Sequence, residues 1–540
     1  MQLSPINGSH HHQDDLSIVS WSHGIRTLPN HGYIKAFYRY FATSYFGKNA
    51  SSIIWQNKPL LDSQAKTMQI ALKKKITSRP KRKNEQFDKF CLPEIHEQFE
   101  SLEGLIEQRE EAFSQHRQGQ EKLTLNSWRN TSVFDYKPFS KVCYIDASSP
   151  GAIIHGVKER KRRLMVIPVN AKSAYIVDIH HITGGDLHQI NISAPFGEDS
   201  VVRNKLKEIS SDKVTDQINW RRKFGPYYNS SFRDVKYYST PKSWSIGWKT
   251  TKSNLSMKLW SGAGGEGTTL LEGQSPDPDR DPYSGVWKRL EGSNDSIPYI
   301  PRFAVRHHLQ DSNGQLKTLT PLIYETESKT SSNKNPITNI KSIIGKNKES
   351  LIMKIYFASG RVDYVYSSQD KTPRTMDNIK FLGSGVWLSR PSPNAKPWAL
   401  VLMKNSSVQT PNTTLHAYKK QTLQINHIMP KYDDKENKTS VLYLKGKISN
   451  PKVYINKWMR VDYGAGVNYI YKIKAVFTDP KSKLSQVTIE GAAGMNNKSG
   501  QWTHNGYPFK DASTEAFLHL AAGKEAFSKS FLNTIGEKSQ

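Results

Sequence analysis

Short apolar runs with polar residues interleaved recur along most of the chain. Val142-Cys143-Tyr144-Ile145-Asp146, Leu164-Met165-Val166-Ile167-Pro168 and Ala174-Tyr175-Ile176-Val177-Asp178-Ile179 are β-branched and aromatic stretches bounded by turn residues. Each predicts a strand. The same pattern predicts strands at 187–193, 234–239, 244–248, 255–260, 300–306 and 319–325, then at 351–357, 361–366, 398–403, 441–446, 468–476 and 484–490. Nearer the amino terminus, Leu16, Ile18 and Trp21 predict a half-buried strand over 16–22, and 51–56 another. No repeat period interrupts this. The chain is therefore expected to be mostly β, a large antiparallel β-sandwich with few helices.

Three segments depart from the strand pattern. Residues 93–122 are rich in Glu and Gln, with Ile95, Phe99, Leu102, Leu105 and Ile106 near helical spacing, which predicts an amphipathic helix in an excursion near 84–122. Residues 326–349 are rich in Ser, Asn, Lys and Thr, which predicts a linker or exposed loop. From Ser513 the chain has the start of a capping box and a helical pattern to about 533. These divide the chain into a sandwich over 1–330 and a β-rich extension over 331–540 that ends in a short helix. The glycine run Gly262-Ala263-Gly264-Gly265-Glu266-Gly267 lacks the Gly-Lys-Ser/Thr ending of a phosphate loop and is read as a flexible loop.

Charge narrows the choice of partners. The 540 residues hold 77 Lys and Arg against 48 Asp and Glu, a formal net charge of +29. That excess favours an anionic partner: nucleic acid, acidic lipid or acidic polysaccharide. The basic residues are spread along the chain and form no nucleic-acid motif, which argues against nucleic acid. Basic runs at 158–163 and 220–223 read as solvated loops or as contacts to the anionic groups of a glycan. No run of about 18 apolar residues is present, so no membrane-spanning helix is expected. The two cysteines, Cys91 and Cys143, give neither a disulfide framework nor a zinc motif. The first residues have no basic n-region or apolar h-region, so no signal peptide is expected.

A polar cluster enters the first predicted strand: Gly8-Ser9-His10-His11-His12-Gln13-Asp14-Asp15-Leu16-Ser17-Ile18. It is followed by the turn Leu28-Pro29-Asn30-His31-Gly32-Tyr33, and then by a stretch ending Phe46-Gly47-Lys48-Asn49-Ala50-Ser51-Ser52-Ile53-Ile54-Trp55. Together these segments resemble the opening of the sandwich in the heparinase II/III-like polysaccharide lyases. Residues 174–188, with Asp178, Gly184-Gly185 and His188, resemble a second segment of that family. The resemblance covers 1 to about 330.

It implies β-elimination at a uronic acid within an anionic polysaccharide, in the periplasm or outside the cell. Such a reaction needs a cation to neutralise the sugar carboxylate, a base for the adjacent carbon acid, and an acid for the leaving oxygen. The resemblance assigns His10 and Tyr33 to acid–base work, and Asn30, Arg39 and Lys48 to substrate contacts. His10, His12 and Asp14 alternate, so they share one face of an extended strand, where Asp14 would orient His12. His12 falls where the family has a zinc ligand. Two further ligands fall on Asn30 and Lys48, and a protonated lysine does not bind metal. No cofactor is therefore expected, and Lys48 would supply a fixed positive charge instead of zinc. Members of the family carry an α/α toroid before the sandwich that has no counterpart here. The chain is expected to supply one wall of a cleft, either as a fragment or split gene product, inactive without the toroid, or with a separate toroid chain as partner. A non-catalytic binder of acidic glycans is the alternative.

Overall fold

A computed structural model of the chain describes Ile18, residues 20–22, 25–28 and 51–54 and, with short breaks and two longer ones at 211–232 and 277–298, residues 132–537. It is mostly β and antiparallel, as the alternation of apolar residues predicts. The predicted helix within 84–122 lies outside the described residues.

Four sheets stack face to face. The first has six strands, in the order Lys207–Ile209, Arg233–Ser239, Thr268–Pro276, Tyr299–His308, Leu187–Ser193, Ser51–Ile54. The second has eight, with Glu159–Asn170, Ser173–Thr183 and Lys317–Ser328 at its centre. The third has six and is centred on Ser350–Phe357, Val362–Ser368 and Gly385–Arg390. The fourth is a small sheet of four strands between Arg374 and His416.

Three cores bind the layers in series. Ile190, Ile192, Phe303 and Val305 of the first sheet pack on Leu164, Ile182, Leu259 and Leu322 of the second. The opposite face of the second sheet, with Met165, Val177, Ile179 and Ile323, packs on Met353, Val365, Trp387 and Val401 of the third. Tyr364, Tyr366 and Leu388 of the third pack on Ile379, Phe381 and Val408 of the fourth. Strand Val362–Ser368 is buried at every position because both its faces are covered. Each such apolar side chain contributes roughly 1.5–3 kcal/mol by leaving water.

The expected boundary at 330 falls between strands that meet in one core. Within the stretch read as a linker or exposed loop, Ile337–Ile344 is the edge strand of the third sheet, with Ile337 and Ile340 buried. Thr338 and Lys341 are exposed along it, and polar residues precede and follow it in sequence, which is why composition alone reads as a loop. The glycine run does close-packing work at one point. A Cβ on Gly264 would stand 1.9 Å from the Pro241 carbonyl oxygen, so only glycine fits there.

Beyond the stack the chain forms a closed six-stranded barrel, ordered Gln421–Asp433, Asn437–Lys445, Ser485–Glu490, Asn468–Thr478, Trp458–Asp462, Ala516–Leu520. The last strand pairs with both the first and the fifth and so closes it. Where a helix is predicted from Ser513, the chain forms the strand Ala516–Leu520. Ala516, Leu518 and Leu520 are buried and point into the barrel core while Phe517 and His519 between them are half-buried, so period two prevails over the capping signal. The chain then returns to the stack. Lys524–Phe527 pairs with Ala399–Leu402 of the third sheet, and a short helix, Lys529–Thr534, capped by the Ser528 hydroxyl, buries Phe531 in the core between the second and third sheets.

Candidate functional site

His10, His12, Asn30, Tyr33, Arg39 and Lys48, the residues assigned from sequence, all lie outside the described residues. Their neighbours along the chain are described. Ile18 is buried between the first and second sheets, and so is Leu28, two residues before Asn30. Hairpin Ser20–Ser22 with Ile25–Leu28 joins the second sheet through a hydrogen bond of 2.8 Å between the Ser22 and Thr326 hydroxyls. Three residues after Lys48 begins Ser51–Ile54, the edge strand of the first sheet, paired with Leu187–Ser193.

That pairing leads to a cluster of polar side chains. Along Leu187–Ser193, Ile190 and Ile192 face the second sheet, so Gln189 and Asn191 face the other way. Along Tyr299–His308, Phe303 and Val305 face the second sheet, and Arg302, Ala304 and Arg306 face outward. Register places Ser52, Gln189 and Arg306 in one row across three strands. The Gln189 side-chain oxygen accepts from Arg306 Nε at 3.0 Å and from Arg306 Nη2 at 2.7 Å, and its amide nitrogen donates to Asn191 Oδ1 at 2.8 Å. Arg302 lies on the same face, across from Ser193. Burial pushes its guanidinium down to about 9. Next to this polar half, Tyr237, Leu271 and Ala304 form a small apolar cluster. All these side chains are at most 4% exposed, so the face is closed in this structure. Two guanidinium groups and two amides on one rigid sheet are suited to a carboxylate or sulfate.

Sequence reading missed these four residues. The signal was present: Arg302 and Arg306 share one face of an apolar strand, as Gln189 and Asn191 do in theirs.

Other polar groups singled out from sequence belong to the framework. The basic stretch 158–163 is neither a solvated loop nor a glycan contact at its far end. Arg162 and Arg163 are buried in a central strand. Arg162 makes a two-pronged ion pair with Asp178, at 2.8 and 2.6 Å, and Tyr324 donates to the same carboxylate at 3.2 Å. Burial alone would raise the Asp178 carboxyl, but Arg162 and His180 beside it hold it well below the usual range. His180 Nε2 stands 3.2 Å from Asp178 without the alignment of a hydrogen bond, and burial lowers the pKa of its ring against the pull of Asp178. Arg163 crosses to the third sheet, bonding Ser367 at 2.8 Å while pairing with Asp146 at 2.6 Å.

His180 and His181 face opposite sides of the sheet, as adjacent residues in a strand must. The former lies by Asp178 and the latter 3.2 Å from Ser367 of the third sheet. His188 is a packing residue. Its Nε2 donates to the Gly184 carbonyl at 2.6 Å, which leaves Nδ1 to accept from the Thr318 hydroxyl at 2.7 Å. Burial lowers it to about 4. His307 bridges the same two sheets, 2.7 Å from the Thr320 hydroxyl. Among the described residues no three His, Cys, Asp or Glu gather as a metal site, and no helix is long and apolar enough to cross a membrane.

No family model and no curated protein matches the chain. Two solved structures of heparinase III, one with methylated lysines, align with 68% of this chain and 38% of theirs, at 9% and 10% identity and a TM-score of 0.33. The chain spans well under half the length of those proteins.

Proposed function

We propose that this chain engages an anionic, uronate-containing polysaccharide and supplies the sandwich wall of a lyase that cleaves it by β-elimination. The observation that carries the reading is the row formed by strand Ser51–Ile54, Gln189 and Arg306, with Arg302 on the same face. It joins a cationic, amide-bearing face to the segment that follows Lys48. The net charge of +29 favours the same class of partner.

In this reading Arg39, Lys48 and Asn30 hold the sugar carboxylate, so that negative charge developing on the carboxyl oxygens is met by fixed donors. His10 or Tyr33 takes the proton from the carbon beside that carboxylate. The electron pair forms the carbon–carbon double bond, the glycosidic carbon–oxygen bond breaks, and the other residue of the pair protonates the leaving oxygen. His12, Asn30 and Lys48 are a poor donor set for zinc, since an ammonium cannot ligate and an amide ligates weakly, and no step runs through a metal. A polymer of this kind places the protein in the periplasm or outside the cell.

The test is incubation with polygalacturonate, alginate and heparin, following ultraviolet absorbance of the conjugated product. The proposal expects absorbance to rise with the native chain, alone or with an added α/α-toroid chain. It expects the rise to vanish in His10→Ala and Tyr33→Phe. Absorbance unchanged by both substitutions refutes the assigned roles. Saturable binding without any product favours the second reading, a non-catalytic glycan binder, which the net charge of +29 supports.

A further inference from the structure

The barrel carries an outer face that the proposed cleft does not use. Val476 and Val487 point inward, so Phe477 and Gln486 point outward. On the next strand Leu442 and Leu444 are in the core, so Tyr443 points outward. Register aligns the three directly: Phe477 is opposite Gln486, and Gln486 is opposite Tyr443. Two aromatic rings therefore flank one amide, with their backbones two strands, or about 10 Å, apart. Phe477 is 57% exposed, an unusual position for so large an apolar ring, and Leu484, at the turn end of the row, is 42% exposed.

Exposed lysines bound the row at both ends. Lys445 lies two residues beyond Tyr443 on the same strand face, and Lys481 occupies the turn after the strand of Phe477. At the other end the register shift between Ile473 and Ala475 makes Lys474 the extra residue of a bulge, and it is exposed. The acids nearby are engaged: Glu490 pairs with Lys472 at 3.0 Å, and the Asp479 carboxylate accepts from the Lys481 backbone N–H at 2.9 Å.

We infer that the Phe477–Gln486–Tyr443 row is a docking platform for an extended acidic polysaccharide. This rests on the function proposed above and deepens it, giving the same polymer a second contact outside the cleft. Sugar rings present apolar C–H faces that stack on aromatic rings, and a spacing of two strands suits alternate rings of an extended chain. The Gln486 amide between the rings offers one donor and one acceptor to hydroxyls, and the flanking lysines meet carboxylates or sulfates. Two contacts on one chain raise affinity for long polymers far more than for short ones.

The experiment measures binding of the full chain to polygalacturonate and to heparin, each as a long polymer and as short oligosaccharides, with single-stranded DNA as competitor. Variants Phe477→Ala and Lys445→Ser with Lys474→Ser alter exposed side chains, and thermal unfolding checks that they fold. Phe477→Ala is expected to weaken binding of the long polymer about tenfold, and the double lysine variant to flatten its salt dependence. Product formation from short oligosaccharides is expected to stay unchanged. If the native chain binds the polymers but neither variant weakens them, the platform is overturned while the proposed function stands. If the native chain binds neither polymer, both fall. If DNA binds more tightly and Phe477→Ala abolishes that binding, the face serves nucleic acid and the inference is overturned.

Discussion

Asp363 sits where the second and third sheets meet, and replacing it with asparagine tests how the stack is held. Its carboxylate is fully buried and accepts five hydrogen bonds. Oδ1 takes Arg361 Nε at 2.8 Å and Ser389 Oγ at 2.5 Å. Oδ2 takes Arg361 Nη2 at 2.7 Å, Tyr175 OH at 2.6 Å and Trp387 Nε1 at 3.2 Å. Arg361 reaches on to the Pro168 and Val169 carbonyls, so one ion pair ties four strands across the seam, Glu159–Asn170 and Ser173–Thr183 of the second sheet and Val362–Ser368 and Gly385–Arg390 of the third. Asparagine keeps the shape but loses the charge. Whichever way its amide turns, the nitrogen faces at least two donors, and the Arg361 guanidinium is left buried without its counter-ion. Breaking one partner of a buried pair costs about 3–5 kcal/mol. Urea unfolding followed by tryptophan fluorescence reads this directly, because Trp387 bonds Asp363, and Trp398 bonds Ser389 at 2.7 Å. Asp363→Asn is expected to lose that amount, and Ser389→Ala, which removes one bond to a charged acceptor, about 1.5–3 kcal/mol. A loss below about 1 kcal/mol for Asp363→Asn would contradict this, because the seam would then be held by its apolar contacts alone.

Two further predictions concern pH and one concerns packing. Burial raises Glu325 to about 7, against the pull of hydrogen bonds from Ile337 N–H at 2.6 Å and Trp260 Nε1 at 3.0 Å. The folded state therefore holds a proton that the unfolded chain releases near 4.5. The Glu325 contribution to stability should fall by roughly 3 kcal/mol as pH rises from 4.5 to 7, and Glu325→Gln should subtract that contribution from the pH slope in denaturant titrations, leaving the opposite slope of His188. His188 acts in the opposite sense: its folded value near 4 lies below that of the unfolded chain, so stability is lost as pH falls from 6.5 towards 4. His188→Gln should flatten this acid limb, and an unchanged limb would contradict the neutral packing role. Leu518→Ala, in the strand that closes the barrel, should cost about 2–5 kcal/mol, read as earlier loss of hydrogen-exchange protection across the barrel than in the stack.

Much of the layered fold was legible because period-two alternation is the direct imprint of a sheet with one face buried. Strands such as Leu255–Ser261 and Ser485–Glu490 announce themselves that way. What escaped were places where local chemistry pointed elsewhere. Ile337–Ile344 is an edge strand dressed in polar residues, so its composition resembles a loop. Ala516–Leu520 follows a capping signal, yet only barrel closure, a pairing with strands some 60 to 100 residues distant, makes it β. Arg162 and Arg163 read as surface charge because their counter-ions, Asp178 and Asp146, come from neighbouring strands. The assigned site residues were chosen by resemblance. The arginine–amide face lay between readable strands, but its grouping depends on register that no single segment reveals.

Recognition of carboxylates on a sugar polymer makes binding depend on the charge of those groups. Polygalacturonate and the same polymer with its carboxyl groups reduced to alcohols are titrated with the full chain at several salt concentrations. Saturable binding to the carboxylated polymer, weakening as salt rises, and at least tenfold poorer binding to the reduced one is the predicted result. Equal binding to both, or binding to neither, would contradict it.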